Sequence, residues 1–428
     1  MLKLRNTGYR HVGARRNDEK PRALSIIRGT IYAGAPNVKG LASMRKPQLL
    51  PLVLLVAFVV ALLAFAGCAA PAPTPDTNAD VQQNEIGGST ESEPEPEPTT
   101  FEVSLGFAGD LCLADNYIPM EHLAELNSTD ISDGIDRRFI DKMREVDLMW
   151  INNEFVFSDR GEPIGDKMWT FRGATQNVKY LHDLGIDIVG LANNHVFDFG
   201  EESFLDTLDT LKGAGIPYVG AGLTLDEASS PVYLEANGVK VAYVAASRAE
   251  YTIYTPEAGK YTPGIMWCYD NELFLEEIRE AAANADYVVA LPHWGVEHST
   301  ELEYEQIESA HAYIDAGADA VIGAHPHILQ GLEYYEGKPI MYSLGNFWFD
   351  AYDIDTLVAE IRISGEKDDS GRVDMDSAKV ELVLWPGTQS GVFTAWSDAS
   401  ERTRIFDYLG EISDYQVSIS DDGVVHPA

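Results

Sequence analysis

Only three of the 428 residues are cysteine. So few thiols exclude a disulfide-rich scaffold and a four-thiolate zinc site, which leaves a packed core to hold the chain together. Basic side chains are scarce as well, with 31 Lys and Arg against 68 Asp and Glu. The shortage is uneven. Residues 1–47 hold 11 of the basic residues and two of the acidic ones, and residues 48–68 hold neither, so the remainder carries 20 basic against 66 acidic side chains, net −46. Such a body repels a phosphate backbone, because nucleic-acid affinity comes largely from Lys and Arg neutralising phosphates. Nucleic acid is therefore not an expected partner. What is present is a 45% hydrophobic and 10% aromatic content, ample for a buried core, on a length that suits one large domain or two smaller ones.

The first hundred residues read as an address and a tether. Residues 1–47 are basic, and Met44 would begin a signal peptide of ordinary length, so the segment before it fits a misassigned start. Leu49 to Ala66 is an unbroken run of apolar residues and Pro, preceded by Arg45 and Lys46 and followed by Gly67-Cys68. Residues 48–68 are thus expected to be an export signal or a membrane anchor. The Ala-Gly-Cys ending resembles the bacterial lipobox, in which the cysteine, here Cys68, is lipidated and becomes the new N-terminus. Whether lipoprotein or uncleaved anchor, the body is expected at the cell membrane on its extracytoplasmic face, because positive residues stay on the cytoplasmic side. Residues 69–100 are rich in Pro, Glu, Thr, Ser and Asp and almost devoid of large apolar groups, a composition that cannot offset its ordering entropy and reads as a disordered acidic linker.

From Phe101 onward short β-rich runs alternate with helical patterns, the signature of a layered α/β domain. Strands are predicted at 102–108, 146–151, 186–191, 239–245, 286–291, 319–323 and 339–343, and helices at 175–184, 201–213, 271–284 and 302–316. Most of these strands run into polar clusters: Asp110, Asn152-Asn153-Glu154, Asn193-Asn194-His195, His293-Trp294-Gly295, His325-Pro326-His327 and Ser343-Leu344-Gly345-Asn346. Carboxyl ends of strands in an α/β sheet converge on one crevice, so one site could hold them all. Each cluster alone has a plainer reading, since an Asp after a strand is usually a turn or helix cap and Asn-Asn reads as a turn. Placement argues otherwise: His195, His293, His325 and His327, four of the ten histidines, all fall just after strands.

Imidazole and carboxylate together suit one or two divalent ions of the Mn, Zn or Fe kind, whereas an all-oxygen set would point to Ca or Mg. A carboxylate such as Glu154 can bridge cations roughly 3.5–4 Å apart, and Asp110 and Glu154 supply the negative charge that such a pair requires. His195 could then protonate a leaving oxygen as a general acid.

These clusters, in this order, resemble the bacterial CapA family, associated with poly-γ-glutamate capsule synthesis, within the calcineurin-like metallophosphatase superfamily. The likeness rests on Gly109-Asp110, Asn153-Glu154, Thr170-Phe171-Arg172, Leu191-Ala192-Asn193-Asn194-His195 with Asp198 and Gly200, His293-Trp294-Gly295 with Glu297, Gly323-Ala324-His325-Pro326-His327 and Ser343-Leu344-Gly345-Asn346-Phe347. It covers about residues 101–350. The resemblance implies a metallophosphatase-like β-sandwich flanked by helices, with residues 351–428 as a C-terminal β extension and tail. It further implies that Asp110 and His327 belong to one metal, that Asn194, His293 and His325 belong to the other, that Glu154 bridges, and that His195 is catalytic. Arg172, Asn153 and Asn346 become candidate substrate contacts. The chain departs from the wider superfamily pattern in two places. Asp110-Leu111-Cys112 stands where many members carry Asp-x-His, which puts the first metal in question, and Glu154 replaces the usual bridging Asp. Cys112 could be a thiolate ligand or a packing thiol, and pairing of Cys112 with Cys268 stays open.

The expected activity is metal-dependent hydrolysis in capsule or envelope-polymer synthesis or export, acting on an anionic envelope polymer or a small phosphorylated substrate, with the capsule synthesis machinery as a possible partner. The alternative is a non-catalytic factor that binds polymer or assists assembly through the same cleft.

Overall fold

The computed structural model describes residues 99–250, 254–368, 370–414 and 416–428. Cys68, the apolar run of 48–68, the basic 1–47 segment and nearly all of the 69–100 linker lie outside the described residues. Among the described residues no helix is long and apolar enough to cross a membrane.

Two β-sheets face each other, and helices cover their outer faces. The larger sheet runs, from one edge, Val417–Ile419, Val424–Pro427, Lys379–Ser390, Ile354–Glu366, Thr100–Leu111, Leu148–Asn153, Ile188–Gly190 and Tyr218–Val219. The six-stranded second sheet has Lys338–Met341, Ala320–Ile322, Tyr287–His293 and Val239–Ser247 as parallel inner strands. Alternation builds the layers, since successive side chains on a strand point to opposite faces. Val103, Leu105 and Phe107 of the first strand meet Val241, Tyr243, Val289 and Leu291 in the core between the sheets. Ala108 and Leu111 face the opposite way into a cluster with the helical residues Phe139, Met143 and Phe204. Across the molecule Ala242, Val244 and Ala290 pack on Phe274, Ile278 and Tyr313 of the helices Glu272–Asn284 and Tyr304–Ala316. Strands apolar on both faces explain why the sequence shows continuous apolar runs there rather than a polar alternation.

The expected C-terminal β extension is present, and it continues the larger sheet itself. Ile354–Glu366 pairs antiparallel with the first strand from Thr100↔Glu366 to Ala108↔Val358, and Lys379–Ser390 pairs with it in turn. The sheet would lose its central antiparallel neighbour without them. The strands also reach further than their apolar runs, so that Asp110, Asn152, Asn153 and His293 lie inside strand ends rather than after them. Ladder hydrogen bonds do not distinguish polar from apolar side chains, so pairing continues into the polar clusters.

Candidate metal centre

The carboxyl ends of the parallel strands of both sheets meet, and the chain crosses itself tightly there. The Asp110 amide donates to the Gly345 carbonyl at 2.9 Å, and a Cβ on Gly109 would lie 1.8 Å from that same carbonyl oxygen. Only glycine lets these two backbones approach, and the approach sets Asp110 beside Asn346. On the second sheet, His325 and His327 hold left-handed backbone, at φ 101° and 60°. Non-glycine residues in that region are uncommon, cost on the order of 1–3 kcal/mol each, and gather at functional sites. The strain turns both imidazoles into the crevice on either side of Pro326.

The crevice collects residues from six segments, and all six proposed ligands are buried. Their donor atoms form two groups that share one carboxylate: Glu154, His293 and His325, and Asp110, Glu154 and His327, each within 4.8 Å internally. His293 Nε2 is 2.9 Å from Asn194 Oδ1, 3.1 Å from His325 Nδ1 and 3.6 Å from Glu154 Oε1. His327 Nδ1 is 3.1 Å from Asp110 Oδ2 and 2.8 Å from Asn346 Oδ1, and its Nε2 is 3.8 Å from Glu154 Oε1. Glu154 Oε1 accepts no hydrogen bond, although it is fully buried and faced by imidazole nitrogens of His293, His327 and His195. A buried carboxylate oxygen without a partner is costly unless a cation neutralises it. Mixed N and O donors of this kind fit Zn, Mn or Fe better than Ca or Mg.

The electrostatics of the cation-free site agree. Burial, then repulsion from Asp110, pushes the Glu154 carboxyl well above its usual range. Burial, then neighbouring imidazoles, holds His293 and His325 well below theirs, leaving neutral rings with lone pairs available. Burial also depresses His327, but Asp110 outweighs it and the net shift is upward.

His195 sits at the margin. Its Nδ1 is 2.7 Å from Asp198 Oδ2, which assigns the ring proton to Nδ1 and directs Nε2 toward Glu154 at 4.0 Å. Burial lowers its pKa, partly offset by Asp198. Asp198 is itself gripped by Lys167 Nζ at 2.7 Å and by the Phe171 amide at 2.7 Å, while Lys167 also donates to the Asn194 carbonyl at 2.6 Å.

Of the candidate substrate contacts, Arg172 and Asn153 turn to backbone carbonyls and Asn346 stands beside His327. Arg172 donates to the carbonyls of Arg160 and Gly161 and lies 4.2 Å over the Phe199 ring, so it ties a loop. Asn153 donates to the Phe155 carbonyl, away from the ligand groups, and Asn346 orients His327 while donating to Asp350. Trp294, Phe347 and Trp348 are fully buried core, and Phe349 lines the cavity above the centre. Cys112 and Cys268 are both free and buried, and burial pushes the Cys112 thiol well up and the Cys268 thiol up to about 12, so neither offers a thiolate.

Sequence reasoning gave no role to Asn152, whose Nδ2 donates to Asp110 Oδ1 at 2.7 Å and Glu154 Oε2 at 3.1 Å. It also passed over Lys167. Its only signal was a lone cation in an acidic stretch.

The sequence matches, over residues 104–351, the profile of the family described as Bacterial capsule synthesis protein PGA_cap. Among curated relatives, the PGA biosynthesis protein CapA of Bacillus subtilis (strain 168) is 39% identical over 176 residues, covering 41% of this chain and 46% of that protein. The capsule biosynthesis protein CapA of Bacillus anthracis is 36% identical over 189 residues, covering 43% and 45%. The chain thus spans under half the length of these two relatives. Among solved structures, the Haemophilus influenzae NAD nucleotidase NadN superposes with TM-score 0.37 and 14% identity over 73% of this chain and 63% of that one.

Proposed function

The chain belongs to the bacterial capsule synthesis protein family PGA_cap, and on that premise we propose that it is a metal-dependent hydrolase acting in capsule or envelope-polymer synthesis or export. One observation carries this reading: the buried, unpartnered Glu154 Oε1 ringed by imidazole nitrogens. A closed structural metal site would need no His195 poised beside it. Asp110, Glu154 and His327 would hold one divalent cation, and Glu154, Asn194, His293 and His325 the other. Such cations supply Lewis acidity toward a phosphoryl oxygen and lower the pKa of water. The chain's own residues do the rest. Asn152 fixes Asp110 and Glu154 in place through its two hydrogen bonds, and Asn346 fixes the ring of His327. Asp198 and Lys167 hold His195 with its proton on Nδ1, so that a proton is exchanged with the reacting oxygen at Nε2.

The body is proposed to stand on the extracytoplasmic face of the cell membrane, tethered by a lipidated Cys68 or by an uncleaved anchor within 48–68, beside the capsule synthesis machinery. The second reading, a non-catalytic polymer-binding or assembly factor, draws on the family alone. Elemental analysis of metal-replete protein, alongside Glu154→Ala and His293→Ala, tests the ligand set, with one or two equivalents of Mn, Zn or Fe expected in the parent and a marked loss in both variants. No metal in the parent would overturn the proposal. Metal without turnover on phosphomonoesters and phosphodiesters would favour the assembly factor.

A further inference from the structure

A cavity of about 260 Å³ opens directly above the centre, lined by His195 and His327, the two imidazoles that also face Glu154 Oε1 from the solvent side. Its walls are rings in sequence. On one side Trp169 lies 6.5 Å from Tyr117, Tyr117 lies 5.9 Å from Phe349, and Phe349 lies 4.7 Å from His327. On the other side Tyr352 lies 5.7 Å from His298, which lies 6.2 Å from His327. The outermost rings, Trp169 and Tyr352, are 59% and 58% exposed, a large apolar area left in water at the rim.

Among the described residues lining this mouth none is Lys or Arg; the carboxylates are Glu297 and Asp350 and the only basic groups are imidazoles. Asp350 is buried, with Asn346 and Gln389 side chains and the Tyr352 amide already bonded to it. Glu297 is exposed at the rim. Lys167 beneath is committed to Asp198 and the Asn194 carbonyl. A lining without Lys or Arg among the described residues gives an extended polyanion nothing to grip except the metals. Aromatic faces with one acid at the rim instead attract an alkylammonium, whose charge is favoured by the ring faces and by the nearby Glu297 carboxylate.

We propose that the cavity above the metal centre is a recognition subsite for a cationic amine group, an alkylammonium carried by the substrate next to the bond that is cut. This deepens the hydrolase reading and rests on it for the identity of the neighbouring bond. The small volume suits a single head group rather than a wrapped polymer.

Calorimetric titration of the whole chain with choline and with its uncharged isostere 3,3-dimethylbutan-1-ol isolates the charge. Choline is expected to bind about tenfold more tightly, and Glu297→Gln and Trp169→Leu, both at exposed positions, to weaken it several-fold without moving the melting temperature. Equal affinity for the two ligands, or no choline binding at tens of millimolar, overturns the subsite. Choline binding that persists while elemental analysis finds no metal keeps the subsite and removes the hydrolase reading.

Discussion

Replacing Glu154 with Gln should reverse its effect on stability according to whether metal is present. In metal-free protein the wild-type side chain is fully buried, Oε1 accepts no hydrogen bond, and Asp110 lies close enough to repel it. The amide keeps the shape and removes the repulsion. An unsatisfied buried polar group costs about 1–3 kcal/mol, so the variant is expected to gain up to that amount in EDTA. At about 2–4 °C per kcal/mol for domains of 150–250 residues, the melting temperature should rise by on the order of 2 °C or more. The gain depends on pH in a defined direction. A carboxyl whose folded pKa is raised stabilises the fold below its unfolded pKa and loses that contribution as pH rises toward the folded value. The advantage of Gln should therefore be absent in acid and grow as pH climbs above the ordinary carboxylate range. With Mn at a hundred times its Kd the wild type gains about 2.7 kcal/mol. The variant, lacking the carboxylate common to both ligand groups, should gain little, so the ranking inverts. Scanning calorimetry of both proteins, with EDTA and with Mn across pH, provides the readout. A variant less stable under every condition, or one that responds to Mn like the wild type, would refute the assignment of Glu154 as an anionic ligand held ready for cations.

Gly109→Ala drives a Cβ into the Gly345 carbonyl, so the crossing must open; elemental analysis should show metal content falling while circular dichroism retains the α/β signature. His195→Gln should keep its metal and lose about 10²–10⁴ in turnover on any phosphoester the parent cleaves, and unchanged turnover would remove His195 from the chemistry. Away from the site, Lys142 Nζ lies 3.0 Å from Glu360 with both side chains nearly buried; Lys142→Met should cost roughly 1–2 kcal/mol in urea denaturation, because Glu360 keeps its hydrogen bonds from Arg362 and Trp385. Burial raises Glu360, but hydrogen bonds from Arg362 and Lys142 lower it further, so its net pKa is depressed and its stabilisation should vanish as pH falls below the ordinary carboxylate range, a loss the variant should show less of.

The strands and the long helices were legible because their signals are local. The predicted helix 201–213 is observed at Glu201–Ala214, and the strand 239–245 at Val239–Ser247. The polar clusters were legible because six of them follow apolar runs, and the sheet order brings them to one edge. Direction of side chains was not legible. Arg172 and Asn153 occupy motif positions beside the centre yet turn to backbone carbonyls, a choice fixed by loop geometry that residue type does not encode. Nor was the place of the C-terminal strands, since their pairing with Thr100–Leu111 spans more than 240 residues of chain and leaves no local trace. Lys167 escaped for a similar reason: its partners Asp198 and Asn194 lie about thirty residues away, and its own loop has no periodicity.

In the metal-free chain the centre is arranged against its own stability. His325 and His327 hold left-handed backbone, His293 and His325 set ring nitrogens 3.1 Å apart with both basicities depressed, and Glu154 leaves an oxygen unbonded. The strained backbone and the unbonded oxygen cost free energy. What offsets them is the frame: Val289, Leu291 and Ile322 anchor the histidine-bearing strands in the core between the sheets, while Gly345 receives the Asp110 amide from the other sheet. The arrival of positive charge among these donors would pair the Glu154 oxygen and the neutral imidazole nitrogens, and so offset the backbone strain. These costs argue for a crevice built to carry cations, because an amide in place of Glu154 and glycines in place of the two strained histidines would relax it without disturbing either sheet.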